Sequence, residues 1–121
     1  MSTLQSKYED NVFVIYFTDM KIIDDPRIGE IAEDLEKCLT NIETDKILLS
    51  FRGVAFMGSA MIGKIIDFKR KCDNAGIDLR FCNICDNIMD AVTILQLHKR
   101  WKIFPTETEG IESFRKKGLF G

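Results

Sequence analysis

The chain carries one histidine, His98, among 121 residues. A lone imidazole removes most routes to acid–base catalysis and to histidine-rich metal centres. No Ser/His/Asp set, paired-carboxylate pocket or phosphate-cradling glycine loop is legible either, so the sequence does not read as an enzyme. Long apolar runs are missing too. None approaches the ~20 residues of a membrane-spanning helix, and residues 1–7 lack the apolar centre of a signal peptide. A cytoplasmic protein without membrane insertion is expected. Charge is nearly balanced, at a formal net of -2. Nucleic acid is therefore not expected as the main partner, because phosphate binding wants a concentrated basic surface. Only two prolines, Pro26 and Pro105, punctuate the chain. With no linker, repeat or low-complexity segment, residues 1–121 are expected to form one domain.

Cysteine is present at four positions, Cys38, Cys72, Cys82 and Cys85. Without a secretory signal, reduced thiols are expected. Cys82-Asn83-Ile84-Cys85 is a C-x-x-C, but a structural zinc site needs four ligands, and the other two cysteines fall inside predicted helices. A thioredoxin-like pair should open a helix, whereas Cys82 ends a late strand. The four read as buried or loop thiols, with no metal; a redox enzyme built on Cys82 and Cys85 is the rival reading.

What is present is a strongly patterned α/β chain. Leu4–Tyr8 and Val12–Phe17 read as a hairpin around Glu9-Asp10-Asn11. The following loop covers part of the core with Ile22 and Ile23. Asp25 is the expected cap of a helix with Pro26 in its first turn. Ile28, Ile31, Ala32, Leu35, Leu39 and Ile42 recur at helical spacing, with Glu30, Glu33, Asp34 and Glu36 on the water side. An acidic binding face is the alternative use of those charges.

The segment Asp45–Ile66 is the most informative. Ile47-Leu48-Leu49 reads as a buried central strand. An apolar path through Gly53 leads to Gly58, where a reversal that a side chain would obstruct is expected. Ser59 then sits as helix N-cap, ahead of Met61, Ile65, Phe68 and Cys72 at helical spacing. Its hydroxyl would lie at the positive end of the helix dipole, where a phosphate is electrostatically welcome. Gly76 ends the helix, and a strand from Ile77 to Cys82 implies a right-handed crossover between parallel strands. Asp86 is the expected cap of a third helix with Ile88, Ala91, Val92 and Leu95 inward. A short strand follows at Lys102-Ile103-Phe104. Thr106 and Glu109 have capping-box spacing ahead of a last helix that buries Ile111 and Phe114. His98, Lys99 and Arg100 read as a solvated basic helix end, with an anion site as the alternative, and Trp101 packs over the sheet edge.

Gly58-Ser59-Ala60-Met61-Ile62-Gly63 resembles the Asp-Ser-Ser-Gly-Leu-Gly signature of the STAS domain, the fold of bacterial anti-anti-sigma factors. The order strand-strand-helix-strand-helix-strand-helix-strand-helix is similar to that family along nearly the whole chain. The resemblance implies an α/β fold of the SpoIIAA type, with a mixed, mostly parallel sheet of four to five strands and about four helices. It also implies that Ser59 is phosphorylated by a kinase-type anti-sigma factor and reset by a serine phosphatase. No cofactor is expected, since the nucleotide belongs to the kinase. The implied partner-binding surface comprises Gly58, Ser59, Ala60, Met61 and Lys64. Two departures stand out: the family aspartate is Gly58 here, and the family glycine is Met61. Met61 suits either a protein contact or the core. Gly58 favours the alternative function, a non-phosphorylated scaffold or adaptor subunit of a larger signalling or transport complex.

Overall fold

A computed structural model of the chain describes residues 3–120, and the side chains of 3–115. The first two strands, β1 (Leu4–Glu9) and β2 (Val12–Phe17), pair antiparallel, Leu4 opposite Phe17 and Glu9 opposite Val12. Asp10 and Asn11 join them with φ of 53° and 65°. Two successive positive φ values are what a tight hairpin turn demands, and Asp and Asn tolerate them best after glycine. Then come β3 (Lys21–Ile22), α1 (Asp25–Cys38), β4 (Lys46–Ser50), β5 (Phe56–Met57) and α2 (Ser59–Asn74). The chain continues through β6 (Asp78–Cys82), α3 (Asp86–Ile94), a 3-10 turn (Leu97–Lys99), β7 (Ile103–Phe104) and α4 (Glu107–Phe120).

The main sheet runs β1-β2-β4-β6-β7, and every pairing after the hairpin is parallel. Parallel neighbours need crossovers, and α1 and α2 supply them for β2-β4 and β4-β6. Alternation within the strands then decides the layers. Ile15, Phe17, Ile47, Leu49, Phe51, Leu79 and Phe81 point to the side where α1, α2 and α3 pack. Val12, Val14, Tyr16, Leu48 and Cys82 point the other way, against Ile111 and Phe114 of α4. Both faces are covered, so β4 is buried along Ile47–Ser50 and reads as a continuous apolar run.

α4 is fastened by polar contacts as well as by packing. Tyr16 donates to Glu107 at 2.8 Å, and Lys7 pairs with the same carboxylate at 3.1 Å. Thr106 caps the helix, its hydroxyl accepting the Glu109 amide at 3.1 Å, as the capping-box spacing predicts. Arg80 is buried on this face, where Asp78 and the Ser113 hydroxyl receive its guanidinium. Buried charge is tolerated when it is paired and hydrogen-bonded in this way.

The expected strands and four helices are present, with local differences. Each of the first three helices begins one residue after a cap that precedes the expected one. Asp24, not Asp25, caps α1 and accepts the Arg27 amide at 3.2 Å. Cys85, not Asp86, occupies the cap of α3. Leu95 lies past the end of α3 and is half exposed rather than inward-facing. Asp34 is half-buried and accepts from the Thr3 hydroxyl at 2.7 Å, so it does not belong to the solvated acidic row.

Candidate functional site

The Ser59 turn lies beyond the carboxyl end of β4. The chain leaves the strand through Gly53, whose φ of +82° lies in the left-handed region that glycine adopts without strain. It then forms β5, which pairs parallel with β3, Lys21 opposite Phe56 and Ile22 opposite Met57. The Met20 carbonyl accepts the Ala55 amide at 2.8 Å and the Phe56 amide at 3.3 Å, and the Ile22 carbonyl accepts Gly58 at 2.9 Å. α3 steadies the same segment through Asn87, whose amide donates to the Ala55 carbonyl at 3.3 Å. The turn is therefore held from two directions before α2 starts, by backbone bonds from the Met20–Ile22 segment and by the Asn87 side chain of α3.

Gly58 is the N-cap of α2, and it has no side chain with which to cap it. Its carbonyl accepts the Met61 amide at 3.0 Å and the Ile62 amide at 3.2 Å. Ser59 is thus the first helical residue, a correction to its expected place as cap. A serine there is one position too late to fold back onto the orphan amides. Its hydroxyl is exposed and has no hydrogen-bond partner among the described residues. Gly58 is not required by the reversal either. Its φ is -73°, and an added Cβ would meet nothing closer than the Ile22 carbonyl at 3.7 Å.

The expected partner-binding residues separate into two sets. Ser59, Ala60 and Lys64 are exposed, and Gly58 is half-buried beside them. Met61 is fully buried with Ile62 and Ile65 in the sheet-facing stripe, so its side chain is core and is unavailable to a partner. Helical spacing decides this, since Met61, Ile65, Phe68 and Cys72 follow one face.

Three large apolar residues frame the site, and one of them is a correction: Ile23, expected to cover the core with Ile22, faces outward instead. Met20, Ile23 and Phe56 are large, apolar and exposed at 63%, 56% and 44%. Phe56 lies in β5, and Met20 and Ile23 flank β3 on either side, ahead of Ser59. Apolar residues in a loop read as core cover, which is what Ile22 does; only the parallel pairing turns its neighbours outward. Large apolar side chains left exposed are a common feature of protein contact surfaces in general.

Charge sharpens the picture. α1, α3 and α4 each carry an acidic residue in the first turn, whereas α2 carries none. The positive end of the α2 dipole is therefore unopposed at Ser59.

The cysteines do not assemble. Cys82 packs on the α4 side of the sheet, and Cys85 packs against the opposite core. Burial pushes the Cys82 thiol up to about 11 and the Cys72 thiol up to about 12, away from nucleophilic reactivity at neutral pH. No cluster of metal-ligating side chains occurs among the described residues. His98, Lys99 and Arg100 are exposed around the 3-10 turn, while Trp101 is buried and stacks on Phe81 at 4.2 Å. No described helix is long and apolar enough to cross a membrane.

The model of the STAS domain family matches residues 4–110. Comparison with curated proteins returns no match. Among solved structures, the fold is similar to an anti-sigma-factor antagonist (STAS) domain protein from Planctomyces limnophilus. The TM-score is 0.80 at 16% identity, covering 93% of this chain and 98% of that one. It is similar to the Bacillus cell fate determinant SpoIIAA in its phosphorylated form, with TM-score 0.68, 16% identity, and 92% and 98% of the two chains covered. It is also similar to a chain of the stressosome, a signal integration and transduction hub, with TM-score 0.74, 12% identity, and 94% and 98% covered.

Proposed function

The chain belongs to the STAS domain family, and we propose that it is an anti-anti-sigma factor. In this reading it docks a kinase-type anti-sigma factor on the face formed by Met20, Ile23, Phe56, Ala60 and Lys64, and phosphorylation of Ser59 releases it. The observation that carries the reading is the position of Ser59: an exposed, unbonded hydroxyl at the first residue of α2, beside exposed Phe56 and Ile23. A phosphate there adds about -1.5 to -2 charges at neutral pH. The domain accommodates it, because the helix start is positive and no first-turn acid opposes it. The partner pays the cost instead, since a dianion would be driven against an apolar contact. Unphosphorylated, the chain holds the anti-sigma factor and frees a sigma factor; phosphorylated, it lets go. A serine phosphatase restores binding.

A fixed scaffold role is the second reading. It is favoured by Gly58 in place of the family aspartate and by Ala60, which leaves Ser59 as the one hydroxyl of the motif. The likeness to a stressosome chain is in keeping with it.

Affinity capture from native extract tests the proposal, with bound proteins identified by mass spectrometry. Wild type should retain a kinase-type anti-sigma factor, and Ser59→Asp and Phe56→Ser should each lose it. Equal retention by Ser59→Asp would leave Ser59 without a switching role and favour the scaffold.

A further inference from the structure

The far end of α2 carries a second feature that the Ser59 face does not use. Ser59 opens the helix, and Asp73 lies fourteen positions along it, roughly 21 Å away at helical rise. There the last turns of α2, the start of β6 and the segment after the 3-10 turn enclose two adjoining hollows. One, of about 290 Å³, is lined by Lys69, Asp73, Asp78, Arg100 and Lys102 among others. The other, of about 230 Å³, has an apolar wall of Ile66, Leu97 and Trp101 beneath Arg70 and Arg100. Lys69, Asp73 and Arg100 line both, which makes them one cleft.

The charges in the cleft are not balanced. Asp73 is answered by Lys69 at 2.7 Å, and Asp78 is gripped by buried Arg80 at 3.0 Å. Arg70 is occupied by Asp67. Lys102 approaches the Asp78 carboxylate only to 3.9 Å. Arg100 lines both hollows and has no ion pair among the described residues. The chain as a whole is acidic, at -2, so a surplus of cations here is local rather than general. An unpaired guanidinium beside an apolar wall offers a forked donor for a planar or tetrahedral oxyanion and a dry surface for its body.

We propose that this cleft binds a small organic anion. Arg100, supported by Lys102, takes the phosphate or carboxylate headgroup, and a flat apolar body lies against Leu97, Ile66 and the edge of Trp101. The size of the hollows restricts the ligand to a single ring or short chain. The site is separate from the Ser59 face, and its occupancy does not depend on whether Ser59 is phosphorylated.

Trp101 is the single tryptophan of the chain, so its emission reports on this wall alone. The full chain is titrated at constant ionic strength with phenyl phosphate, benzoate, phenol and inorganic phosphate. A saturable change with phenyl phosphate or benzoate is expected, and the stronger of the two identifies the headgroup. Phenol and inorganic phosphate should bind at least about tenfold more weakly, each lacking one half of the chemistry. Arg100→Gln, an exposed change, should weaken binding about tenfold or more with the unfolding midpoint unmoved. Ser59→Asp should bind as wild type does. Amide NMR shifts on titration should fall on residues 66–73 and 97–102. No saturable response to either anion, undiminished binding by Arg100→Gln, or shifts centred elsewhere would overturn the proposal.

Discussion

Arg27 holds Asp19 with two nitrogens, Nε at 2.8 Å and Nη2 at 2.9 Å. The pair ties the turn after β2 to the first turns of α1, directly before Met20, whose carbonyl receives β5. The Arg27 guanidinium keeps the Asp19 carboxyl below its ordinary range. A carboxylate depressed in the folded state stabilises the fold above its unfolded pKa of ~3.9. That share is lost as pH falls through the folded value. Asp19→Asn should therefore cost about 1 kcal/mol at neutral pH. The gap to wild type should close below about pH 4, which paired denaturant titrations at neutral and acid pH will read.

Gly53 and Gly58 flank the same four-residue stretch, Val54 to Met57, yet should respond oppositely to substitution. Gly53 has a φ of +82°, so Gly53→Ala should destabilise by about 1 kcal/mol. Gly58 has an ordinary φ, and an added Cβ would make only ordinary van der Waals contacts, with the Ile22 carbonyl at 3.7 Å and Ile23 at 3.8 Å. Gly58→Asp would add a capping oxygen and a charge at the positive helix end, and should stabilise by about 0.5 kcal/mol. Thermal or denaturant unfolding of the two variants checks both signs.

The thiols should label in order of burial. Cys72 and Cys82 are fully buried, with thiols pushed up to about 12 and about 11. Alkylation of the native protein near neutral pH should reach half-buried Cys85 first and leave Cys72 and Cys82 unmodified until the protein unfolds. Early modification of Cys82 would revive a redox role for the C-x-x-C.

Most of the fold is legible in the sequence because composition and periodicity carry it: β-branched and aromatic residues for β2, two-residue alternation for β6, helical spacing for α1 and α2. Caps are less legible. Asp25, Ser59 and Asp86 all read as caps but occupy the first helical position, because polar and acidic residues suit both places and only backbone angles distinguish them. The β3-β5 bridge is two residues on each side, too short to show any period. With it went the outward direction of Ile23 and Phe56, and so the apolar half of the proposed docking face. The buried Arg80 is hidden for another reason: its partner Asp78 sits two residues earlier on the same strand face, where a charged pair looks solvated. Ser59 is legible both as a helix start and through its resemblance to a motif, and the structure adds its exposure and its unbonded hydroxyl.

The direct test of a Ser59 switch is the phosphorylation state of the chain isolated from its native cells. Trypsin cuts after Arg52 and Lys64, and Ser59 is the single hydroxyl-bearing residue between them. A phosphate on that peptide can therefore belong to no other side chain. The expected result is a modified fraction that rises and falls with growth condition and a phosphorylated form that no longer binds the anti-sigma factor. A peptide that stays unmodified in every condition, with partner binding intact, would contradict the switch.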